Sequence, residues 1–360
     1  MAIDIHGVIP GPFGSLVRDE YGIDNRNSAD LFSERGQRAL TKVHERYRDA
    51  GATIGSAPTF RLTNLRAGDG KNGQWELPKN GELQFDVQIA EWNRHAVQSI
   101  ARKVYDERTL IAGLVAPIAD TSGGDDARWK ALASNQFAWV KERQRPQVRA
   151  LIEAGVDLIL VEAARYFDEA KAIADLTLEY GGKAAAISFE TDKPEFPDPD
   201  HPNTTFTQVA DILNDRARGK IPVLTGVNCT GATTIRQLLE KDDVPQIVYP
   251  NELDFGREEA KWVDRRRFEM LAEKGDRRTQ QEETEFRYMR DAFTTSPEEF
   301  EALWKRCLKS RVQVIGVCCG GTPDHVRLAR QVYDRVVPSL DSKRELSPPP
   351  SSLSPQALDS

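Results

Sequence analysis

The stretch Ala154–Ala172, AGVDLILVEAARYFDEAKA, contains the pattern that decides the fold. Gly155 ends a long helical segment, Phe137–Ala154, and the apolar run Leu158–Val161 follows almost at once. A second segment with helical periodicity, Asp168–Glu179, comes next. A short apolar run between two helical segments is typical of a strand in a parallel sheet that helices cover on both faces.

The same alternation recurs along the whole chain. The predicted strands are Ile3–Ile9, Thr53–Ser56, Leu110–Val115, Leu158–Val161, Ala184–Phe189, Val223–Val227, Gln246–Tyr249 and Val312–Val317. Eight strands that alternate with helices favour a single-domain α/β fold, the (β/α)₈ TIM barrel. A doubly wound open sheet is the alternative that strand counting alone leaves open.

Two segments depart from this pattern. The highly charged stretch Asp264–Thr295 lies before the last strand, and we expect a helical insertion or a long loop there. The end of the chain, residues 339–360, is rich in Ser and Pro and is predicted to be disordered. The predicted barrel domain therefore covers residues 1–338.

Composition restricts the class of function. The formal net charge is −7, with 39% hydrophobic and 29% charged residues, which is typical of a globular protein. An acidic chain offers no attractive field to nucleic acid or to membrane surfaces, so we expect neither partner. No secretory signal and no long apolar run are evident, and only four cysteines are present. We therefore expect a cytoplasmic protein, of undetermined oligomeric state.

Three of the four cysteines follow predicted strands. Cys229 lies in GVNCTG after the sixth strand, and Cys318 and Cys319 lie in GVCCGGTP after the eighth. In a parallel barrel both positions fall on the carboxyl-terminal rim, where active sites form. Thiolates suit Zn²⁺, and three protein ligands with an open fourth position form a catalytic zinc site. Gly320 and Gly321 would permit the turn that lets neighbouring cysteines face one ion.

Other roles for these cysteines must be compared with metal binding. A single cysteine at a strand end is often a small buried apolar residue, and this is the interpretation for Cys307. A disulfide between the adjacent Cys318 and Cys319 would be strained. Two glycine-flanked clusters on one rim favour metal binding for Cys229, Cys318 and Cys319 together.

These motifs resemble those of the homocysteine S-methyltransferase family, which has an Asn-Cys and, near the carboxyl terminus, a Gly-Gly-Cys-Cys-Gly. Here the second motif reads GVCCGGTP, Gly316–Pro323, with Val317 in place of the second glycine. Further segments that resemble the family are VHERYRDAGATIGSAPTF (Val43–Phe60), Ala154–Ala172 and YPNELD (Tyr249–Asp254). The resemblance extends from Val43 to Val337.

The resemblance implies a zinc-dependent S-methyltransferase. The enzyme would move a methyl group from a sulfonium donor, S-methylmethionine or S-adenosylmethionine, to homocysteine and yield methionine. The partners would be this small-molecule thiol acceptor and the methyl donor. Zinc removes the proton of a bound thiol while the sulfur stays reactive, which is the chemistry that such a transfer needs.

The resemblance also suggests substrate-binding residues. Glu162 ends DLILVEAA and corresponds to the family's glutamate that recognises the amino group of homocysteine; a structural ion pair is the alternative. Asn228, Asn251, Thr59 and Ser15 are the further candidates. Turn formation is an equally simple role for the two asparagines, and packing of a β-branched side chain is simpler for Thr59.

The sequence departs from the family where substrate recognition is expected. Pro10 stands where the family has an Asp that binds the substrate's amino group, and Asp4 or His6 could replace it only if the first strand were shifted. LVAPIAD (Leu114–Asp120) replaces a Gly-Pro-Tyr-Gly segment, and Gln144 stands where the family often has His. The metal site is therefore predicted more firmly than the acceptor.

Two alternatives follow from these departures. The zinc chemistry could act on a different thiol or selenol, as the loss of the Asp suggests. The barrel could also be a non-catalytic zinc-binding protein. In that case a fourth protein ligand such as His325 should close the site, because structural zinc sites have four protein ligands.

Overall fold

The structure is a computed structural model, and it describes residues 5–11, 13–23, 31–60, 82–117, 136–198, 201, 203–241, 243–252, 294–310 and 312–345. Most of the charged stretch Asp264–Thr295 therefore lies outside the described residues. The division into a barrel and a disordered tail remains a prediction. The last helix continues to Glu345, beyond the predicted boundary at residue 338, and residues 346–360 are not described.

Eight parallel strands form the centre of the molecule. They are β1 (Gly7–Ile9), β2 (Ile54–Ala57), β3 (Leu110–Val115), β4 (Leu158–Ala164), β5 (Ala185–Phe189), β6 (Val223–Asn228), β7 (Ile247–Tyr249) and β8 (Val314–Gly316). Their order in the sheet is β1-β8-β7-β6-β5-β4-β3-β2. This order and the parallel pairing confirm the predicted TIM barrel over the doubly wound sheet.

Thr53 makes the hydrogen bonds that join β1 to the start of β2. Its backbone N–H donates to the carbonyl of Val8 at 3.0 Å, and its Oγ1 accepts from the Val8 N–H at 2.8 Å. The next strand continues the ladder, because the Leu110 N–H donates to the Thr53 carbonyl at 3.3 Å. One threonine thus joins the first two strands of a nearly closed barrel.

Helices surround the strands and lie between them in sequence. They are α1 (Phe13–Tyr21), α2 (Glu34–Asp49), α3 (Glu82–His95, continued by a π-helical turn Ala96–Ala101 and a last turn Arg102–Val104), α4 (Gln136–Glu153), α5 (Phe167–Glu179), α6 (Phe206–Arg216), α7 (Ala232–Glu240), α8 (Pro297–Lys309) and α9 (Pro323–Glu345). Among the described residues, none of these helices has both the length and the apolar character needed to cross a bilayer.

The apolar core has two parts, because each strand is buried on both faces. One face packs against the helices, where Val43, Val161 and Trp304 are fully buried. The other face fills the barrel with side chains such as Leu160 and Ile247. This two-sided burial explains the near-continuous apolar runs in the sequence and leaves the strand ends at one rim for polar residues.

Candidate metal centre

The structure brings together the three cysteines that the sequence singles out. One ligand atom from each of Cys229, Cys318 and Cys319 lies within 4.8 Å of the others, although 89 residues separate Cys229 from Cys318. The Sγ atoms of Cys229 and Cys319 are 3.7 Å apart. Two sulfurs bound tetrahedrally to zinc at about 2.3 Å would be separated by about 3.8 Å. The three sulfurs could therefore hold one metal ion.

In this structure the sulfurs of Cys229 and Cys318 are joined as a disulfide, and their Cα atoms are 5.3 Å apart. Cys318 is thus paired with the distant cysteine and not with its neighbour Cys319, which lies outside the disulfide and is exposed. Reduction of the disulfide releases two thiols, which together with Cys319 make three donors, without any large movement of the backbone. Metal binding and this disulfide exclude each other, because a metal ligand must be a thiolate.

The backbone around the cysteines leaves regular geometry, as the sequence predicts. Cys229 has φ +52°, which is uncommon for a residue other than glycine. Gly320 has φ +81°, and a Cβ at this position would overlap the carboxylate of Glu252. Backbone strain of this kind persists where the surrounding structure holds it, often at functional sites.

Asn251 connects the two cysteine loops. Its Nδ2 donates to the carbonyl of Cys229 at 2.9 Å, and its Oδ1 accepts from the N–H of Cys319 at 3.1 Å. The side chain is 2% exposed. Because both amide atoms are bonded to protein backbone, the described geometry assigns Asn251 to holding the cysteine loops in register rather than to touching substrate.

Tyr47 supports the double-cysteine loop from the helix side. This residue of α2 is fully buried, and its hydroxyl donates to the carbonyl of Gly321 at 3.1 Å. Burial raises the pKa of the Tyr47 hydroxyl, so it remains a hydrogen-bond donor at any physiological pH. The turn after Cys319 is therefore fixed by a side chain 274 residues earlier in the chain.

Asn228 lies between the cysteines and β4. It ends β6 and is 1% exposed. Its Oδ1 accepts from the N–H of Ala163 at 2.8 Å, and its Nδ2 lies 3.6 Å from the Sγ of Cys318. One amide therefore spans the distance from the metal-site sulfur to the residue that follows Glu162.

Glu162 lies near the end of β4, where the register to β5 shifts between Val161 and Ala164. Burial raises the pKa of Glu162 to about 7, and a hydrogen bond with Tyr249 opposes this shift. The Tyr249 hydroxyl also lies 2.6 Å from the Ser188 hydroxyl. The alternative role for Glu162, a structural ion pair, does not match the described contact, which is a hydrogen bond with the buried Tyr249.

On the part of the rim formed by β1 to β3, the polar side chains bond backbone carbonyls of the rim itself. Thr59 is fully buried, and its Oγ1 donates to the carbonyl of Leu114 at 2.7 Å. Gln147 Nε2 donates to the carbonyls of Thr59 at 2.7 Å and Leu114 at 3.2 Å. Gln144, the residue in place of the family's His, donates to the carbonyl of Ala116 at 2.8 Å.

Three positions near β1, Pro10, Asp4 and His6, concern the carboxylate that the family has and this sequence lacks. Pro10 follows β1 directly and is buried. Asp4 lies outside the described residues, and His6 precedes β1, so it lies at the opposite end of the barrel from the cysteines. The strand is therefore not shifted in a way that would bring His6 to the rim. Ser15 falls in the first turn of α1, and its side chain is not described.

A fourth protein ligand is not found among the described residues. The group of candidate ligand atoms contains the three cysteine sulfurs and no histidine or carboxylate. His325 Nδ1 is instead 3.2 Å from the N–H and 3.0 Å from the Oγ1 of Thr322, at the start of α9. Cys307 is fully buried within α8, and burial raises the pKa of its thiol to about 12, as suits a core residue. The described part of the site thus has the three-ligand form.

Sequence reasoning did not find Tyr47, Tyr249 or Ser188. Tyr47 lies within the family-like segment Val43–Phe60 and Tyr249 ends a predicted strand, but neither pattern indicates a role for the hydroxyl. Alternation along the strands offered a signal, because side chains two residues apart face the same way. Ser188 follows Ala184 and Ala186, and Tyr249 follows Ile247, all of which point into the barrel.

Known proteins match the chain over most of its length. A family model described as homocysteine S-methyltransferase matches residues 8–333. The homocysteine S-methyltransferase YbgG of Bacillus subtilis is 29% identical over 236 residues, which cover 63% of this chain and 71% of that protein. The homocysteine S-methyltransferase of Escherichia coli is 27% identical over 217 residues, which cover 59% of this chain and 66% of that protein.

Solved structures show the same fold. The homocysteine methyltransferase MmuM from Escherichia coli in its metallated form has a TM-score of 0.56 at 18% identity, with 91% of this chain and 96% of that chain covered. A methyltransferase from Methanosarcina mazei has a TM-score of 0.50 at 12% identity, with 92% and 94% covered. At these identities the structural likeness establishes the barrel and nothing more specific. Because the family model spans nearly the whole chain, the protein belongs to the homocysteine S-methyltransferase family.

Proposed function

We propose that this protein is a zinc-dependent enzyme that transfers a methyl group from a sulfonium donor, S-methylmethionine or S-adenosylmethionine, to homocysteine and so forms methionine. Cys229, Cys318 and Cys319 are the proposed metal ligands. A bound Zn²⁺ would lower the pKa of the acceptor thiol and hold its sulfur as a nucleophile. Membership of the family supports the acceptor class.

The single observation that carries the proposal is the convergence of three sulfurs within 4.8 Å at one end of the barrel. Three thiolates with no fourth described protein ligand leave one tetrahedral position for an incoming thiol. Soft sulfur ligands favour zinc over the hard cations that oxygen ligands bind. Two asparagines and Tyr47 hold the loops that present these sulfurs.

Glu162 is the proposed binding group for the amino group of homocysteine. Its carboxylate lies on the same rim, and one asparagine amide separates the following residue from Cys318. An ionised Glu162 attracts the substrate's ammonium group, whereas a protonated one does not. Since the pKa of Glu162 is about 7 before substrate binds, the KM for homocysteine should fall as pH rises through 7.

The proposal is tested with protein that has been reduced, loaded with zinc and checked for metal content. Homocysteine is supplied with S-methylmethionine, S-adenosylmethionine or betaine, and methionine is measured. We expect methionine from a sulfonium donor. Absence of turnover with every donor at full zinc occupancy would contradict the proposal. In Glu162→Gln, the KM for homocysteine should rise about tenfold to a hundredfold and lose its dependence on pH, as loss of a charged hydrogen bond predicts.

A second candidate function keeps the metal chemistry and changes the acceptor. The observation that favours it is Pro10, a buried residue without a carboxylate at the place where the family has the second amino-group ligand. The test is a panel of thiols and a selenol at fixed donor concentration. A higher kcat/KM for an acceptor without the amino-acid head group than for homocysteine would favour this function over the first.

A further inference from the structure

Asn228 touches two parts of the site that perform different tasks in the proposed function. Its Oδ1 accepts a hydrogen bond of 2.8 Å from the backbone of Ala163, next to the proposed amino-group ligand Glu162. Its Nδ2 points at the sulfur of Cys318, 3.6 Å away. At 1% exposure the side chain has little contact with solvent that could replace either bond.

The orientation of this amide follows from its partners. The backbone N–H of Ala163 can only donate, so the atom of Asn228 that faces it must be the oxygen. The nitrogen therefore faces Cys318, whose sulfur accepts hydrogen bonds, and accepts them more strongly as a thiolate. A rotated amide would place an N–H against an N–H and an oxygen against a sulfur anion, so it is disfavoured on both sides.

The bond to Ala163 stabilises a bulge in β4. Four residues on β4, from Val161 to Ala164, span the same distance as three residues on β5, from Ile187 to Phe189, and Ala163 has φ +58°. A bulge of this kind re-aims neighbouring side chains. Glu162 lies inside it, so the direction of its carboxylate depends on the hydrogen bond that Asn228 accepts.

We propose that Asn228 is a positioning residue that couples the two halves of the site: it stabilises the Cys318 thiolate through Nδ2 and sets the Glu162 bulge through Oδ1. This inference rests on the proposed function, since it assumes that Cys318 binds the metal and Glu162 the amino group. Both amide atoms of Asn228 face protein atoms, so the proposal gives it no direct contact with acceptor or donor.

Each half of the coupling has its own consequence. An N–H···S bond withdraws electron density from a thiolate, so its loss should destabilise the metal complex and shift a thiolate-to-cobalt charge-transfer band to lower energy. Loss of the bond to Ala163 should relax the bulge and weaken the preference for an acceptor that has an amino group. A purely structural role would change stability and leave both properties as they are.

Two substitutions separate the halves. Asn228→Ala removes both hydrogen bonds. Asn228→Asp keeps an oxygen acceptor for the Ala163 N–H but has no N–H for the sulfur. The matched control is Asn214→Asp, since Asn214 bonds the opposite end of β6 through the Val223 N–H at 3.0 Å and lies away from the cysteines.

The measurements use reduced full-length protein loaded with Co²⁺ and need no methyl donor. Cobalt affinity is obtained by competition with a chelator, and the charge-transfer band by absorption spectroscopy. Calorimetry then compares the binding of homocysteine with that of 4-sulfanylbutanoate, which is homocysteine without its amino group. Circular dichroism confirms that each variant is folded.

In Asn228→Ala we expect cobalt affinity to fall about tenfold to a hundredfold, as for other partners of metal ligands, with the band at lower energy. The same variant should lose most of its preference for homocysteine, and Asn228→Asp should keep it. Unchanged affinity and band position in Asn228→Ala would overturn the sulfur half. Equal preference in wild type and Asn228→Ala, or its equal loss in both variants, would overturn the Glu162 half.

Failure of the proposed function gives a different result. If the wild type binds cobalt and prefers homocysteine but forms no methionine with any donor, methyl transfer is refuted and the role of Asn228 stands. If methionine forms and Asn228→Ala behaves like Asn214→Asp in all three measurements, the proposed function stands and the role of Asn228 is refuted.

Discussion

The two sides of the barrel rim use polar side chains in opposite ways. On the β6–β8 side, Asn228 and Asn251 bond the loops that hold the three cysteines, and the sulfurs become available to a metal once the disulfide is reduced. On the β1–β3 side, Gln147 and Thr59 bond backbone carbonyls within the rim. The first side has sulfurs that can bind a ligand, whereas the polar side chains of the second side bond only the protein.

The difference shows what buried amides can do at a strand end. An amide that joins two loops fixes the distance between the groups on those loops, whereas an amide that caps carbonyls fixes only the fold. Changes on the β6–β8 side should therefore alter metal binding at little cost in stability. Changes on the β1–β3 side should lower stability and leave metal binding intact.

The largest expected effect follows from removing a sulfur. Cys318→Ala leaves two thiols for the metal, and because zinc in such sites requires three protein ligands, activity should fall about a thousandfold or more together with stoichiometric zinc. The barrel should stay folded by circular dichroism. Cys307→Ala is the matched control, since it removes a buried cysteine from α8; it should retain zinc. Full zinc content in Cys318→Ala would refute the ligand assignment.

The β1–β3 side is tested by Gln147→Leu. The change removes the side-chain donor of the Thr59 carbonyl and one of two donors of the Leu114 carbonyl, in a fully buried position. Leaving buried acceptors without a donor costs about 1–3 kcal/mol, and the free energy of unfolding in urea should fall by that amount. Zinc affinity should change less than about threefold, well below one tenfold step of 1.4 kcal/mol. A large loss of zinc would mean that the two sides are not independent.

Asn251→Ala makes the complementary test. It removes the side chain that bonds the Cys229 carbonyl and the Cys319 N–H, so the cysteine loops lose their common anchor. Zinc affinity should fall about tenfold to a hundredfold, the effect known for groups that orient metal ligands. Chelator competition gives the affinity, and urea unfolding of the metal-free protein should show a smaller change than in Gln147→Leu. The reverse ranking would contradict the comparison.

More of the β6–β8 side of the rim than of the β1–β3 side could be predicted from the sequence. The convergence of Cys229 with Cys318 was predictable, because parallel topology places the ends of all strands at one rim. The position of Glu162 was predictable only as far as its strand. The bulge at Ala163 depends on a hydrogen bond that the Ala163 N–H donates to a residue 65 positions away, and no local pattern encodes such a contact.

On the β1–β3 side, the roles of the buried polar side chains could not be predicted from the sequence. Thr59 was a candidate for substrate binding, with packing as the simpler alternative, and the structure shows its hydroxyl bonded to the Leu114 carbonyl. The residues that matter there, Gln144 and Gln147, lie on one face of α4. The sequence alone does not indicate their burial, because it results from the packing of α4 against the strand ends.

The smallest expected effect on metal binding concerns His44 of α2. It is fully buried and stacks on Phe13 with ring centroids 3.9 Å apart, and neither ring nitrogen has a hydrogen-bond partner. Burial lowers its pKa from 6.5 to about 3. As pH falls below 6.5, the unfolded chain takes up a proton that the folded one does not accept, so stability present above pH 6.5 is lost by up to about 1.4 kcal/mol per pH unit until pH 3.

Urea unfolding at pH 7.5 and pH 5 should show this loss in the wild type and a shallower dependence in His44→Leu. Because neither ring nitrogen of His44 bonds the cysteine loops, zinc affinity at pH 7.5 should be the same in both proteins. An equal slope in both would show that His44 is protonated in the folded state, and its surroundings would then not be as closed to solvent as its burial indicates.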